Sequence, residues 1–184
     1  MTSFALLLLR AVTGGFLAGH GAQKLFGAFG GRGPEGTARN FEKIGIEPAR
    51  KWAVIAGATE LTGGALTALG LLSPAGPVVS IAPMIVAWRK QHGDKPIWVN
   101  QGGAELPATN IAIASALALA GPGALSFDRL FGVRMPWWLS CLVIAATALG
   151  VVIALEDDIR ETADEIRHEE ALRSAEALER IPTA

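Results

Sequence analysis

The chain has 184 residues, 51% of them apolar and only 18% charged, with a positive mean hydropathy. That leaves too little polar surface to coat a soluble globule of this length, so the composition points to an all-α integral membrane protein. No basic block with interleaved aromatics speaks for nucleic acid, and the single Cys141 rules out an intrachain disulfide, a CxxC redox pair or a multi-thiolate metal centre.

A membrane-spanning helix needs about 20 mainly apolar residues. Residues 4–26 form the first span although Arg10 interrupts it; a cleavable signal peptide would call for a basic leading region that is absent here. Residues 27–50 open with GAFGGRGPEG and continue with TARNFEKIGIEP. Ala38, Phe41 and Ile44 share one side of a short helix that Gly45 can end, and an interfacial helix on the inner leaflet is expected there. Residues 52–72 carry one charge, Glu60, while 74–91 are short and hold Pro77 and Pro83. Residues 106–121 lie between Leu106-Pro107 and Gly121-Pro122-Gly123, and 136–155 contain no charge. In the final stretch, 156–184, Ile159, Ala163 and Ile166 are followed out of register by Leu172, Ala175 and Leu178. A solvated amphipathic helical tail fits that spacing better than a coiled-coil stalk.

The formal charge of -1 hides a division: residues 1–155 hold 12 Lys and Arg against 7 Asp and Glu, and residues 156–184 hold 4 against 10. The basic residues of the body gather between spans one and two (Arg32, Arg39, Lys43, Arg50, Lys51) and around the third-to-fourth connection (Arg89, Lys90, Lys95). Basic loops stay in the cytoplasm, which places the N-terminus outside and the acidic tail inside.

Arg10, HGAQKLFG at 20–27, AGATELTGG at 56–64, the stretch from His92 to Glu105 and GPGALSFDRL at 121–130 together resemble the DoxX family of small bacterial four-helix membrane proteins. The resemblance covers roughly residues 4–130. It implies a four-helix bundle in 1–130 and a multi-pass place in the bacterial cytoplasmic membrane; the fifth transmembrane helix expected in 131–155 and the cytoplasmic tail expected in 156–184 lie outside it and rest on apolar length and charge. The family takes its name from a thiosulfate:quinone oxidoreductase of which DoxX-type chains are subunits, so quinone is the implied ligand and a redox complex the implied setting.

Ionisable groups in a span cost about 2.5 to 3.5 kcal/mol each and turn toward a partner or a wet cavity. At 1.5 Å per residue, His20 stands about 9 Å and Glu60 about 12 Å above the inner boundary, with Lys24 one turn below His20 on the same face. Gly14, Gly15, Gly19 and Gly21 on the first span, with Gly57, Gly63 and Gly64 on the second, would let the two backbones close and bring His20 within reach of Glu60. Glu60 and His20 are therefore the candidate catalytic pair, with Lys24, His92, Glu105 and Trp98 as candidate ligand-binding residues. Arg10 and Asp128, toward the opposite side, are expected to form a structural ion pair. No tight ligand motif supports a metal.

These residues admit two readings. In the first the chain is an accessory redox subunit: His20 and Lys24 donate to a quinone carbonyl, and Glu60 shuttles a proton. With no intrinsic cofactor motif the isolated chain would not catalyse electron transfer and would need a partner subunit or donor. In the second, Glu60, His20 and Lys24 are a structural polar knot, and the chain is a non-enzymatic scaffold whose partners are the lipid bilayer, other protein subunits or a second copy of itself. A transporter or proton pathway ranks third, because only Arg10 continues the polar series toward the other face.

Overall fold

The computed structural model describes residues 2–156, 158–160, 163–164, 166–168 and 173. Among these the regular structure is helical: α1 (Thr2–Phe26), α2 (Gly33–Lys43), α3 (Ala49–Leu69), α4 (Ala75–His92), α5 (Glu105–Ala120), α6 (Phe127–Phe131) and α7 (Trp137–Ala154), with 3₁₀ turns at Ala28–Gly30 and Val99–Gln101. Each of the five apolar segments expected from the sequence is a helix within a few residues of its expected bounds. Two of them, α1 and α7, are both long and apolar enough to cross a membrane, and α5 is a shorter apolar helix. Glu60 with Arg50 and Lys51 on α3, and Arg89, Lys90 and His92 in the last turn of α4, dilute the apolar character of the other two.

The chain divides into two compact units, Met1–Val151 and Val152–Ala184. In the first, α1 packs on α3, α3 on α4 and α4 on α5, and α5 returns lightly to α1 to close a four-helix bundle. The α1–α3 contact is made through backbone. A Cβ at Gly14 would stand 2.6 Å from Gly64 O, and one at Gly64 equally 2.6 Å from Gly14 O; seven residues away, a Cβ at Gly21 would stand 2.6 Å from Gly57 O. This antiparallel seven-residue repeat brings the helices closer than larger side chains would permit. Gly15 and Gly19, expected in the same contact, face open space. They lie off the seam, which on α1 runs through Gly14, Ala18 and Gly21.

The interior of the bundle is small or polar, and the large apolar side chains point outward. Ala53 is fully buried and Arg10, Glu60, Thr67, Ser80 and Asp128 are buried, whereas Phe16 is 72% and Leu119 90% exposed. This inverts the arrangement of a water-soluble core and suits a bundle whose outer surface meets lipid.

Pro34 in the first turn and Lys43 in the last frame α2, and its C-terminal chain turns at Gly45 with φ 69°. Its apolar side docks on protein: Ala38 is buried against Ala49 and Ala53 at the start of α3, with Phe41 beside them. The Arg50 guanidinium, hydrogen-bonded to Glu35 at 3.1 Å, holds that carboxyl below the usual carboxylate range. No residue of α7 is buried. In the second unit, exposed pairs one helical turn apart, Arg160–Glu156 and Arg167–Asp164, line the described residues. Leu172, Ala175 and Leu178 of the expected amphipathic tail lie outside the described residues.

Candidate functional site

The polar residues singled out by the sequence fall into three groups rather than the expected two. The first bridges α1 and α3. The missing side chain at Gly57, one turn before Glu60, leaves room for the stem of Lys24, whose Cβ would lie 3.1 Å from a Cβ placed there. Lys24 Nζ then donates to Glu60 Oε2 at 2.5 Å, with the carboxylate side chain only 6% exposed and the lysine 25%. His20, expected to approach Glu60, is exposed, and its Nδ1 is hydrogen-bonded to Gln23 Oε1 at 3.0 Å within its own helix. Glu60 thus has the longer, more flexible lysine as its direct partner. Removing one member of such a pair costs about 3 to 5 kcal/mol, chiefly because the other charge is left buried alone.

The second group organises the connection between α4 and α5. His92 Nδ1 is hydrogen-bonded to Gly102 O, and Glu105 Oε2 accepts from Val99 N at 2.9 Å. Both ends of the loop are therefore tied to its own backbone. Trp98, 59% exposed, carries the carbonyl that accepts from Gln101 N and Gly103 N. His92 and Glu105 hold this loop and do not join the Lys24–Glu60 pair. Among the described residues no three His, Cys, Asp or Glu side chains gather as a metal-ligand set.

The third group, at the opposite end of the bundle, corrects the expected Arg10–Asp128 ion pair. Both residues are buried in one cap, but they are joined through backbone. Asp128 Oδ1 accepts from Leu72 N and Oδ2 from Ser73 N, both at 2.8 Å, while Asp128 N donates to Gly70 O at 3.1 Å. Arg10 donates through Nη2 to Leu125 O and through Nε to Leu6 O at 3.3 Å. Its Nη1 lies where a Cβ on Gly70 would be, and Gly70 also needs the left-handed φ of 62° that ends α3. The aspartate is spent on two N–H groups that the turn after α3 cannot satisfy internally. The arginine, in turn, satisfies the carbonyl of a second loop.

About one helical turn from the Arg10 end on α1 and α3, a cavity of about 20 Å³ is lined by Thr13, Thr67, Ser80 and Asn110, one residue from each bundle helix. The three hydroxyls donate to carbonyls of their own helices, at 2.6 Å for Thr13, 2.7 Å for Thr67 and 2.8 Å for Ser80, leaving oxygen lone pairs facing inward. The space suits about one water molecule. Sequence reading passed over this set; the available signal was a polar residue in each of four apolar helices.

No curated protein and no solved structure matches the chain at a significant level. The family model DoxX matches residues 5–93, which hold α1 to α4 with the Lys24–Glu60 pair. The match ends short of the residue 130 expected from the motifs, so Glu105 and GPGALSFDRL lie beyond it. Over residues 5–93, just under half of its length, the chain is similar to the DoxX family, a family of membrane proteins.

Proposed function

We propose that this chain is a non-catalytic accessory subunit of a membrane complex, a helical scaffold that crosses the bilayer several times. The observation that carries this reading is α7: an 18-residue apolar helix with no buried residue, long enough to cross a membrane and open to lipid or to a partner helix along its length. The bundle supports the reading because its polar groups are largely engaged within the chain, as a structural element requires. In the cell the protein sits in the bacterial cytoplasmic membrane, N-terminus outside and acidic tail inside. Cysteine-accessibility labelling is expected to find residues 32–50 and the tail cytoplasmic and residues 124–134 external; the opposite pattern would invert this orientation.

A second reading, quinone binding near the inner face, is favoured by one feature. His20 is exposed on the helix face that also carries Lys24, so an imidazole stands at the lipid-facing surface one turn from the Lys24–Glu60 pair. With Nδ1–H held by Gln23 Oε1, the protonated imidazole could donate from Nε2 to a quinone carbonyl while the carboxylate exchanges a proton. Three variants separate the readings. For the scaffold, Glu60→Gln and Lys24→Leu lower the unfolding temperature in detergent, His20→Leu changes it little, and native-lipid extracts of the wild type contain no stoichiometric quinone. Quinone that copurifies with the wild type and is lost in His20→Leu, with folding unchanged, would sink the purely structural account.

A further inference from the structure

The end of the bundle that holds Arg10 and Asp128 also opens into a cleft of about 460 Å³, lined by Gly123, Asp128, Arg129, Gly132 and Arg134 among others. Its charge is unbalanced. Among the described residues Asp128 is the only carboxylate on its wall, and both of its oxygens already accept from Leu72 N and Ser73 N, with the Arg10 guanidinium buried in the same cap. Arg129 and Arg134 are exposed, and neither guanidinium has a hydrogen-bond or ion-pair partner among the described residues. The glycines at Gly123 and Gly132 put no side chain across the opening.

The surroundings of the cleft are apolar where a water-facing anion site would be polar. Leu130 is 72% and Phe131 66% exposed on α6, and Trp137 and Trp138, at the start of α7, are 78% and 56% exposed. Arginine beside tryptophan and phenylalanine is the pattern of a headgroup interface, where the rings sit at the level of the ester groups and the guanidinium reaches phosphate. Two guanidinium forks also suit a phosphate better than a carboxylate-poor pocket suits any cation, since each presents parallel N–H donors to two phosphate oxygens.

We propose that this cleft binds the phosphate of an anionic lipid headgroup, with Arg129 and Arg134 as its ligands and the exposed rings of α6 and α7 against the acyl chains. The shared chemistry is that of a phosphate anion, and the apolar rim selects the lipid over the free ion. Native mass spectrometry of the full chain in detergent, with phosphatidylglycerol and phosphatidylcholine offered together, tests it. Preferential retention of phosphatidylglycerol is expected, falling about tenfold or more in Arg129→Gln/Arg134→Gln. Arg39→Gln, at the other end of the bundle, should leave retention unchanged. Both replaced side chains are exposed, so thermal unfolding of the double variant should match the wild type. Equal retention of the two lipids, together with binding of inorganic phosphate that the double variant loses, would replace the lipid by a free anion and overturn the proposal. Equal retention with no phosphate binding would remove the site altogether.

Discussion

Replacing Gly64 by leucine is expected to abolish accumulation of the folded bundle, or to destabilise it by about 4 kcal/mol or more in detergent, while the same replacement at Gly15 stays within about 0.5 kcal/mol. The two positions are chemically alike in sequence, each a helical glycine in an apolar run. They differ in what a new side chain would meet. At Gly64 a Cβ would collide with Ala18 N and stand 2.6 Å from Gly14 O, both backbone atoms that cannot rotate away; at Gly15 nothing lies within 4 Å. Leucine at Gly64 therefore has to part α1 from α3, and the separation would also pull Lys24 from Glu60. Association of helices in lipid rests on close packing and on polar contacts, so both contributions would be lost together. Thermal unfolding of the purified variants, with membrane accumulation measured beside it, provides the check. Equal losses at the two sites would mean that α1 and α3 do not meet at Gly14 and Gly64.

Asp128→Ala is expected to destabilise the protein by about 3 to 5 kcal/mol, because one carboxylate satisfies two backbone donors at 2.8 Å and each charged hydrogen bond contributes about 1.5 to 3 kcal/mol. The loss extends to the neighbour: without Asp128 the buried Arg10 charge has no counter-charge in the cap. Arg10→Leu should cost less, since it exposes the Leu125 carbonyl alone and removes the buried charge at the same time. A double-mutant cycle between Arg10→Leu and Asp128→Asn is expected to give coupling of about 1 kcal/mol or below, as for charges sharing a site without touching. Coupling of about 3 kcal/mol would restore the direct ion pair.

The elements of this protein were legible in the sequence because each is decided locally. Long apolar runs set α1 and α7, glycines at positions 27, 45 and 70 in the left-handed region close three helical stretches, and the charge division marks off the tail. Length and apolar content also sufficed to point to lipid as solvent, since the balance of apolar and polar surface is a property of composition. The five-residue helix α6 escaped because it is held by tertiary means, with Asp128 anchored to the turn after α3, and its own five residues carry little periodicity.

Which polar residues meet was decided only by the tertiary structure. Depth counting put His20, Lys24 and Glu60 near one level, but rise per residue does not give rotation about the helix axis. The seam through Gly14, Gly21, Gly57 and Gly64 fixed how α1 meets α3: Lys24 reaches Glu60 past Gly57, while His20, one turn away, is bonded to Gln23 and stays exposed. Arg10 and Asp128 were rightly placed at one end, yet opposite charges there did not have to touch: two loops with unpaired N–H and C=O groups competed for them and won. Backbone groups left over at helix ends are invisible as residue types, and their demand on buried side chains emerges only when the chain has closed on itself.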